Sequence, residues 1–262
     1  MHALSGSPYN YPQYYDIAYQ AYTLMEADFI ENACLKYCHS PARRLLEPAC
    51  GSGRLITELA GRGYEMIGFD LSRPALSYLR RRLTRRRLYA ETFRADMIDF
   101  RLPDAVDGAY CTVNTFRHLL TEQSARSHLE CVARSLRPGG VYILGFRLLP
   151  SNGEKRAVRC WTERRGDIEV TMTLRVLGVD IRRRIENLRT SVRVRRASKE
   201  FRLRDDFQLR TYTGKQFRRL LDSVSSLEVG DIYDFRHNIA QPFSLKDEMT
   251  YALFVLRRPS LR

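Results

Sequence analysis

The residues best placed to do chemistry in this 262-residue chain begin at 45–56, which read Leu-Leu-Glu-Pro-Ala-Cys-Gly-Ser-Gly-Arg-Leu-Ile. An apolar run ending in the carboxylate of Glu47, a turn through Gly51 and Gly53, and an apolar-periodic continuation predict a strand, a tight loop and a helix. Glycines without a Cβ let the backbone approach a ligand. The first N–H groups of the helix then point at whatever lies over the loop. A dinucleotide fingerprint needs a third glycine three residues after the second, where this chain has Ile56. A phosphate loop needs Gly-Lys-Ser/Thr, and Gly53 is followed by Arg54 and Leu55. Asp70, Asp96 and Asn114 likewise end apolar runs, and ligands of parallel sheets bind outside the carboxyl ends of the strands. Just past Asn114, in Asn-Thr-Phe-Arg-His-Leu-Leu, His118 is the candidate general base. Cys34 and Cys38, beside His39, have the spacing to seed a metal site. No second ligand pair follows at zinc spacing, so they read as buried thiols and no metal is expected.

The elements that must position these residues alternate. Strands are predicted at 43–47, 64–70, 89–95, 107–113 and 141–146. Helices are predicted at 53–62, after Ser72 as N-cap with Pro74 in the first turn, and at 121–136. Gly63 stops the first of these helices, and Arg137-Pro138-Gly139-Gly140 breaks the last. Strand–helix alternation with short connections predicts a parallel, doubly wound α/β sheet. From 161 to 210 the rhythm changes. Segments 169–176, 180–189 and 191–200 alternate apolar with polar residues, as half-exposed antiparallel strands do, with turns at 166–167 and 178–180. This predicts an inserted antiparallel platform. A last helix from about Thr213 and strands at 227–235 and 249–256 follow. The domain reading is 1–40 as an N-terminal helical lid, 41–150 as the α/β core, 151–210 as the platform, and 211–262 as the last helix and closing hairpin.

Residues 8–22 carry Tyr9, Tyr11, Tyr14, Tyr15, Tyr19 and Tyr22. The pattern turns helical from Asp16, with Ile17, Ala21, Leu24 and Met25 as an apolar stripe, and again from 27 to 38. These tyrosines are read either as half-wet packing contacts or as a lid over a ligand. Apolar content is 44%, ordinary for a globular protein. The net charge of +14, nearly all arginine, raises nucleic acid or anionic small molecules as partners. The basic residues are scattered and acids accompany most of them, so a solvated arginine surface is the preferred reading. The same applies to Arg80, Arg81, Arg82, Arg85, Arg86 and Arg87 on the second crossover helix. No stretch approaches the roughly 18 apolar residues of a membrane span. The N-terminus lacks a secretory pattern, and six unpatterned cysteines fit a reducing cytoplasm.

Glu47-x-x-x-Gly51-x-Gly53 resembles motif I of class I S-adenosylmethionine-dependent methyltransferases, with Ala49 where that family often has Gly. Arg137-Pro138-Gly139-Gly140 is similar to the Leu-x-Pro-Gly-Gly turn before strand five, and Tyr14-Tyr15-Asp16-Ile17 to the N-terminal lid helix of small-molecule members. The resemblance implies a Rossmann-like, seven-stranded sheet ending in a reversed hairpin, with S-adenosylmethionine as cofactor. Asp70 would then bind the ribose hydroxyls and Leu71 would cover the adenine. Asp96 and the Met97 N–H would meet the adenine edge, and Glu47, Ala49, Gly51 and Gly53 would line the methionine half. Asn114 and Tyr19 would complete the cofactor site. Tyr15 and His118 would face the acceptor, as in amino-sugar N-methyltransferases that carry a histidine at the same offset.

The implied activity is transfer of the sulfonium methyl group, by in-line displacement, to an N or O atom of a small metabolite. The Asn/Asp-Pro-Pro-Tyr/Phe motif of amino-methylating nucleic-acid enzymes is not found, since Asn114-Thr115-Phe116 stands there. Cys111 lies within a strand rather than after a proline. The platform is expected to serve acceptor binding or self-association, a homodimer included. The alternatives are an aminopropyl transferase, which would want Asp-rich segments, and a basic nucleic-acid-binding protein or RNA methyltransferase on the same fold.

Overall fold

The computed structural model describes residues 2–3, 7–149, 157–197, 199–245 and 249–260. The start of the predicted platform at 151–156, and most of the first six residues of the predicted lid, lie outside the described residues. In chain order the elements are β1 (His2–Ala3), α1 (Pro12–Ala18), α2 (Thr23–Tyr37), β2 (Arg44–Pro48), α3 (Arg54–Gly61), β3 (Glu65–Phe69), α4 (Arg73–Arg86), β4 (Glu91–Phe93), β5 (Val106–Cys111), α5 (Glu122–Ser135), β6 (Leu136–Phe146), β7 (Val158–Arg165), β8 (Ile168–Asp180), β9 (Ile185–Arg196), β10 (Lys199–Arg210), α6 (Gly214–Asp222), β11 (Glu228–Tyr233) and β12 (Ala252–Arg257). Short 3-10 turns cover Pro8–Asn10, Gln20–Tyr22 and Thr115–His118.

One sheet has the order β11-β12-β6-β5-β2-β3-β4. Strands β2 to β6 pair in parallel, and β12 runs antiparallel to both β6 and β11, the reversed hairpin anticipated above. Every residue of β5 is buried, because helices cover both faces of the sheet. Neighbouring residues feed opposite layers. Leu45 and Ile143 pack with α2, α3 and α4, while Leu46 and Leu144 pack with α5 and α6. Local chemistry sets the helix starts. Ser72 Oγ accepts from Ala75 N, and Thr213 forms a capping box with Gln216.

A second sheet is built from four long antiparallel strands, β10-β9-β8-β7, with β1 pairing parallel to β10 at one edge. Burial alternates residue by residue along β9, and the buried face carries Val170, Met172, Val192, Val194 and Leu203 against Ile17 and Ala18 of α1. The exposed face explains much of the arginine content. Arg189 faces Asp206 across the strand pair, Arg195 meets Glu200, and Arg196 meets Asp167.

Several boundaries differ from the sequence reading. The greater part of the predicted strands 180–189 and 191–200 is one strand, β9, running through Thr190, while Asp180 ends β8, Lys199 and Glu200 begin β10, and the turn lies at 181–184. Gly178 is no turn. It marks a register shift between β8 and β9, where a residue is extruded without ending the strand. The Pro-Gly-Gly turn ends α5 but lies inside β6. Leu136 already pairs with Val106, and pairing resumes at Gly108 and Val141. The N-terminal helices divide at Tyr19 rather than near Ala27, since Pro12 sets the first helical turn four residues earlier than the apolar stripe indicates.

Candidate active site

The carboxyl ends of β2, β3 and β5 meet at the loop between β2 and α3. Ala49, Gly51 and Gly53 all have left-handed backbones, with φ of 52°, 53° and 65°. Ala49 occupies a conformation that disfavours a Cβ, at a cost of about 1–2 kcal/mol. The two glycines are required for different reasons. A Cβ on Gly51 would meet nothing within 4 Å, so its open side faces the space above the strand ends. A Cβ on Gly53 would lie 2.2 Å from Leu79, so this residue is small in order to pack α3 on α4.

Asp70 organises the loop. Its Oδ2 accepts from Gly51 N at 2.8 Å and its Oδ1 from Ser72 N at 2.7 Å. Each oxygen keeps a second lone pair, enough to accept from a vicinal diol. Leu71 beside it is 54% exposed, an apolar surface left open next to the carboxylate. Asp96 Oδ1 accepts from Ile98 N at 3.1 Å, and the peptide of Met97 is held from behind by His128. His128 is fully buried, with Nδ1 2.9 Å from Met97 O and Nε2 2.7 Å from Tyr142 Oη. A carbonyl can only accept, so Nδ1 carries the proton and Tyr142 donates to Nε2. Burial lowers the pKa of His128 to about 4, keeping the ring in that neutral form.

Glu47 Oε2 accepts from Tyr110 Oη at 3.2 Å. Burial pushes its pKa up to about 8, against the opposing pull of Arg54 and the Tyr110 hydroxyl. Arg54 pairs with the buried Glu26 of α2 at 2.7 Å, and Glu26 also accepts from Thr112 Oγ1 at 2.6 Å. Asn114 has φ 56°, and its Oδ1 accepts from Arg147 N at 2.8 Å, so the oxygen is committed to the end of β6.

The N-terminal tyrosines form a column of rings. Trp161 of β7 meets Tyr19 edge-on at 5.5 Å between centroids. Tyr19 stacks on Tyr15 and Tyr15 on Tyr9, each at 5.3 Å. Tyr9 then meets His118 at 6.2 Å, and His118 stacks on Phe207 of β10 at 5.7 Å. Crowding by neighbouring groups raises the Tyr9 pKa to about 12 and holds Tyr15 and Tyr19 well above the usual range, so these hydroxyls stay protonated. His118 Nε2 lies 3.5 Å from Tyr9 Oη. Crowding by its neighbours and the charge of Arg117 lower its pKa.

Asp16, between Tyr15 and Tyr19 of the column, fastens it to the glycine loop. Only 1% exposed, it accepts from Ser52 Oγ at 3.4 Å, Tyr78 Oη at 3.0 Å and Arg165 Nη1 at 2.6 Å, and pairs with Arg82. The sequence reading places Asp16 in the lid motif without a partner, and gives Glu26, His128, Trp161 and Phe207 no role. Two of these left a trace. His128 occupies an inward position of α5 between Ala125 and Val132, and Asp16 adjoins the buried Ile17. A polar side chain on an apolar stripe is such a trace.

Residues 45–140 match the model of the methyltransferase domain family. Its dTDP-3-amino-3,6-dideoxy-alpha-D-glucopyranose N,N-dimethyltransferase relative from Streptomyces fradiae is 31% identical over 140 residues, 53% of this chain and 53% of that protein. The chain spans about half the length of the curated relatives it matches. Among solved structures, an S-adenosylmethionine-dependent methyltransferase from Clostridium acetobutylicum superposes with TM-score 0.76 at 16% identity, over 95% of this chain and 98% of that one. The sugar N-methyltransferase KedS8 from Streptoalloteichus sp. gives 0.75 at 18% identity, over 99% and 96%. The fold is therefore the Rossmann-like methyltransferase fold, with a second antiparallel sheet. No helix among the described residues is long and apolar enough to cross a membrane.

Proposed function

We propose that the chain is an S-adenosylmethionine-dependent N-methyltransferase acting on a small amine of the amino-sugar kind. The observation that carries this reading is the ring column that runs from Trp161 through the tyrosines to His118 and Phe207, bound by Asp16 to a glycine loop whose Gly51 faces open space beside Asp70. The residues fit the cofactor: Asp70 has lone pairs for the ribose hydroxyls, Leu71 an exposed apolar face for the adenine, and Asp96 with Met97 a backbone edge held by His128. Glu47, Ala49, Gly51 and Gly53 would line the methionine half, with the Asn114 amide beside them. When bound, the cofactor supplies a sulfonium methyl group open to in-line displacement.

The chain's own task is then alignment and exclusion of water. Tyr15 and Tyr19 close the site from the N-terminal side, and Trp161 and Phe207 bring in the second sheet. An amine attacks only as the free base. His118 is neutral near pH 7, so it accepts a hydrogen bond or a proton from the acceptor nitrogen. The acceptor class is supported by the amino-sugar substrate in the name of the Streptomyces fradiae relative and by the fold shared with KedS8. An RNA acceptor is not favoured, because many of the second sheet's arginines are paired with acids.

Calorimetry with S-adenosylmethionine and its demethylated product should give binding of both. Incubation with free and nucleotide-linked amino sugars should give a product heavier by one or two methyl groups. Cofactor binding without methylation of any amine in the panel, but with methylation of hydroxyl acceptors, would replace N by O. Absence of cofactor binding would remove the enzyme reading.

A further inference from the structure

The arginines of α4 do not all lie on a solvated face. Arg82, Arg85 and Arg86, from the second half of the helix, join Arg165 of β7 around a cavity of about 430 Å³, with Tyr78 and Gln20 also in its wall. Arg82 and Arg165 are turned toward Asp16. Arg85 and Arg86 are exposed and make no ion pair among the described residues. The carboxylate at the rim, Glu58, already receives Arg62 Nε at 3.1 Å. Four guanidinium groups therefore share one concavity with too little negative charge to balance them, unlike the second sheet, where Arg189 and Arg196 each meet an acid. Like charges gathered around a cavity raise the local concentration of anions, and the planar guanidinium fork matches phosphate oxygens bidentately. The volume falls in the range of small-molecule sites rather than that of a lone ion.

We propose that this cavity binds the phosphate or diphosphate group of a small molecule, apart from the glycine loop. Arg86 lies 13 residues beyond Arg73 in α4, so it is about 20 Å along the axis from the end of the helix that meets Asp70. The inference does not depend on methyl transfer. It does tie the cavity to the lid, since Arg82 and Arg165 also hold the Asp16 carboxylate that reaches Ser52.

The test is calorimetric titration of the full chain with inorganic pyrophosphate at low salt. The double variant Arg85→Ala/Arg86→Ala is titrated alongside, its fold checked by circular dichroism. The wild-type chain should bind, and the double variant should bind at least tenfold more weakly with S-adenosylmethionine affinity unchanged within twofold. Failure of the wild type to bind pyrophosphate, or equal binding by the variant, overturns the proposal. Parallel loss of pyrophosphate and cofactor binding in a folded variant would overturn the separateness of the two sites. A single-stranded RNA oligonucleotide is run in the same buffers. Retention of RNA that the variant loses, without pyrophosphate binding, would assign the cluster to nucleic acid and overturn the small-molecule site.

Discussion

Asp70 illustrates how one side chain shapes the loop that, in the proposed reading, also presents it to a ligand. Its two oxygens tie Gly51 and Ser72 before any ligand arrives, so the carboxylate that would meet the ribose is held in place by the loop it shapes. Asp70→Ala should cost about 1.5–3 kcal/mol of S-adenosylmethionine affinity, the range for a hydrogen bond to a charged group. Asp70→Asn, which retains one acceptor oxygen, should fall between. Calorimetry that finds both variants binding like the wild type would take Asp70 out of the site. His118 is the residue to test with acceptor. Crowding by its neighbours and the charge of Arg117 lower its pKa, so it favours the neutral form at pH 7 and gains its proton as pH falls below its ordinary range. A base role therefore gives a rate that drops on the acid side and is flat above. In His118→Gln that limb should vanish and the plateau should fall about 10²–10⁴-fold. A limb that survives with only a lowered plateau would mean alignment alone, and an intact profile and rate would mean no part in catalysis.

At the scale of elements, α1 is a seven-residue helix that could not hold its place unaided. It is held by apolar contacts of Ile17 and Ala18 with the second sheet and by Asp16, whose partners come from the glycine loop, α4 and β7. Asp16→Ala would leave Arg82 and Arg165 facing each other without their shared carboxylate. The expected loss is about 1.5–3 kcal/mol of stability. Trp161, the single tryptophan, donates to Ala18 O at 2.7 Å and packs on Tyr19, so its emission should shift to the red as α1 loosens. Unchanged melting and emission would show that the apolar contacts alone hold the helix. The second sheet is fixed in the same region from its other end. Arg117, beside His118, pairs with the buried Glu186 of β9 and donates to Arg210 O at 2.8 Å. The loop past β5 and the second sheet thus bear on His118 together.

For the whole molecule, His128 links the loop that carries Asp96 and Met97 to global stability. Its folded pKa of about 4 lies below the ordinary value of 6.5, so between these values the unfolded chain binds a proton that the folded one refuses. Stability from this source is complete above about pH 6.5 and is lost as pH falls toward 4, by roughly 3 kcal/mol in all. Urea midpoints at pH 7.5 and 4.5 should differ less in His128→Gln than in the wild type, and an equal difference in both would place the acid sensitivity elsewhere. The parallel core, the glycine loop and the polar strand ends were legible in the sequence because they are local: periods of 2.0 and 3.6, a glycine where φ is positive, a cap three residues ahead of its amide. The same local signals misplaced β9 and the Pro-Gly-Gly segment, since a bulge and a turn draw on similar residues and only the partner strand tells them apart. The ring column, the partners of Asp16 and the arginine cavity were decided by tertiary structure alone. Arg165 and Asp16 are 149 residues apart, Trp161 and Ala18 are 143 apart, and His118 meets Phe207 across two sheets. Such pairs are brought together by crossovers and by the packing of one sheet on α1, and no spacing along the chain encodes them.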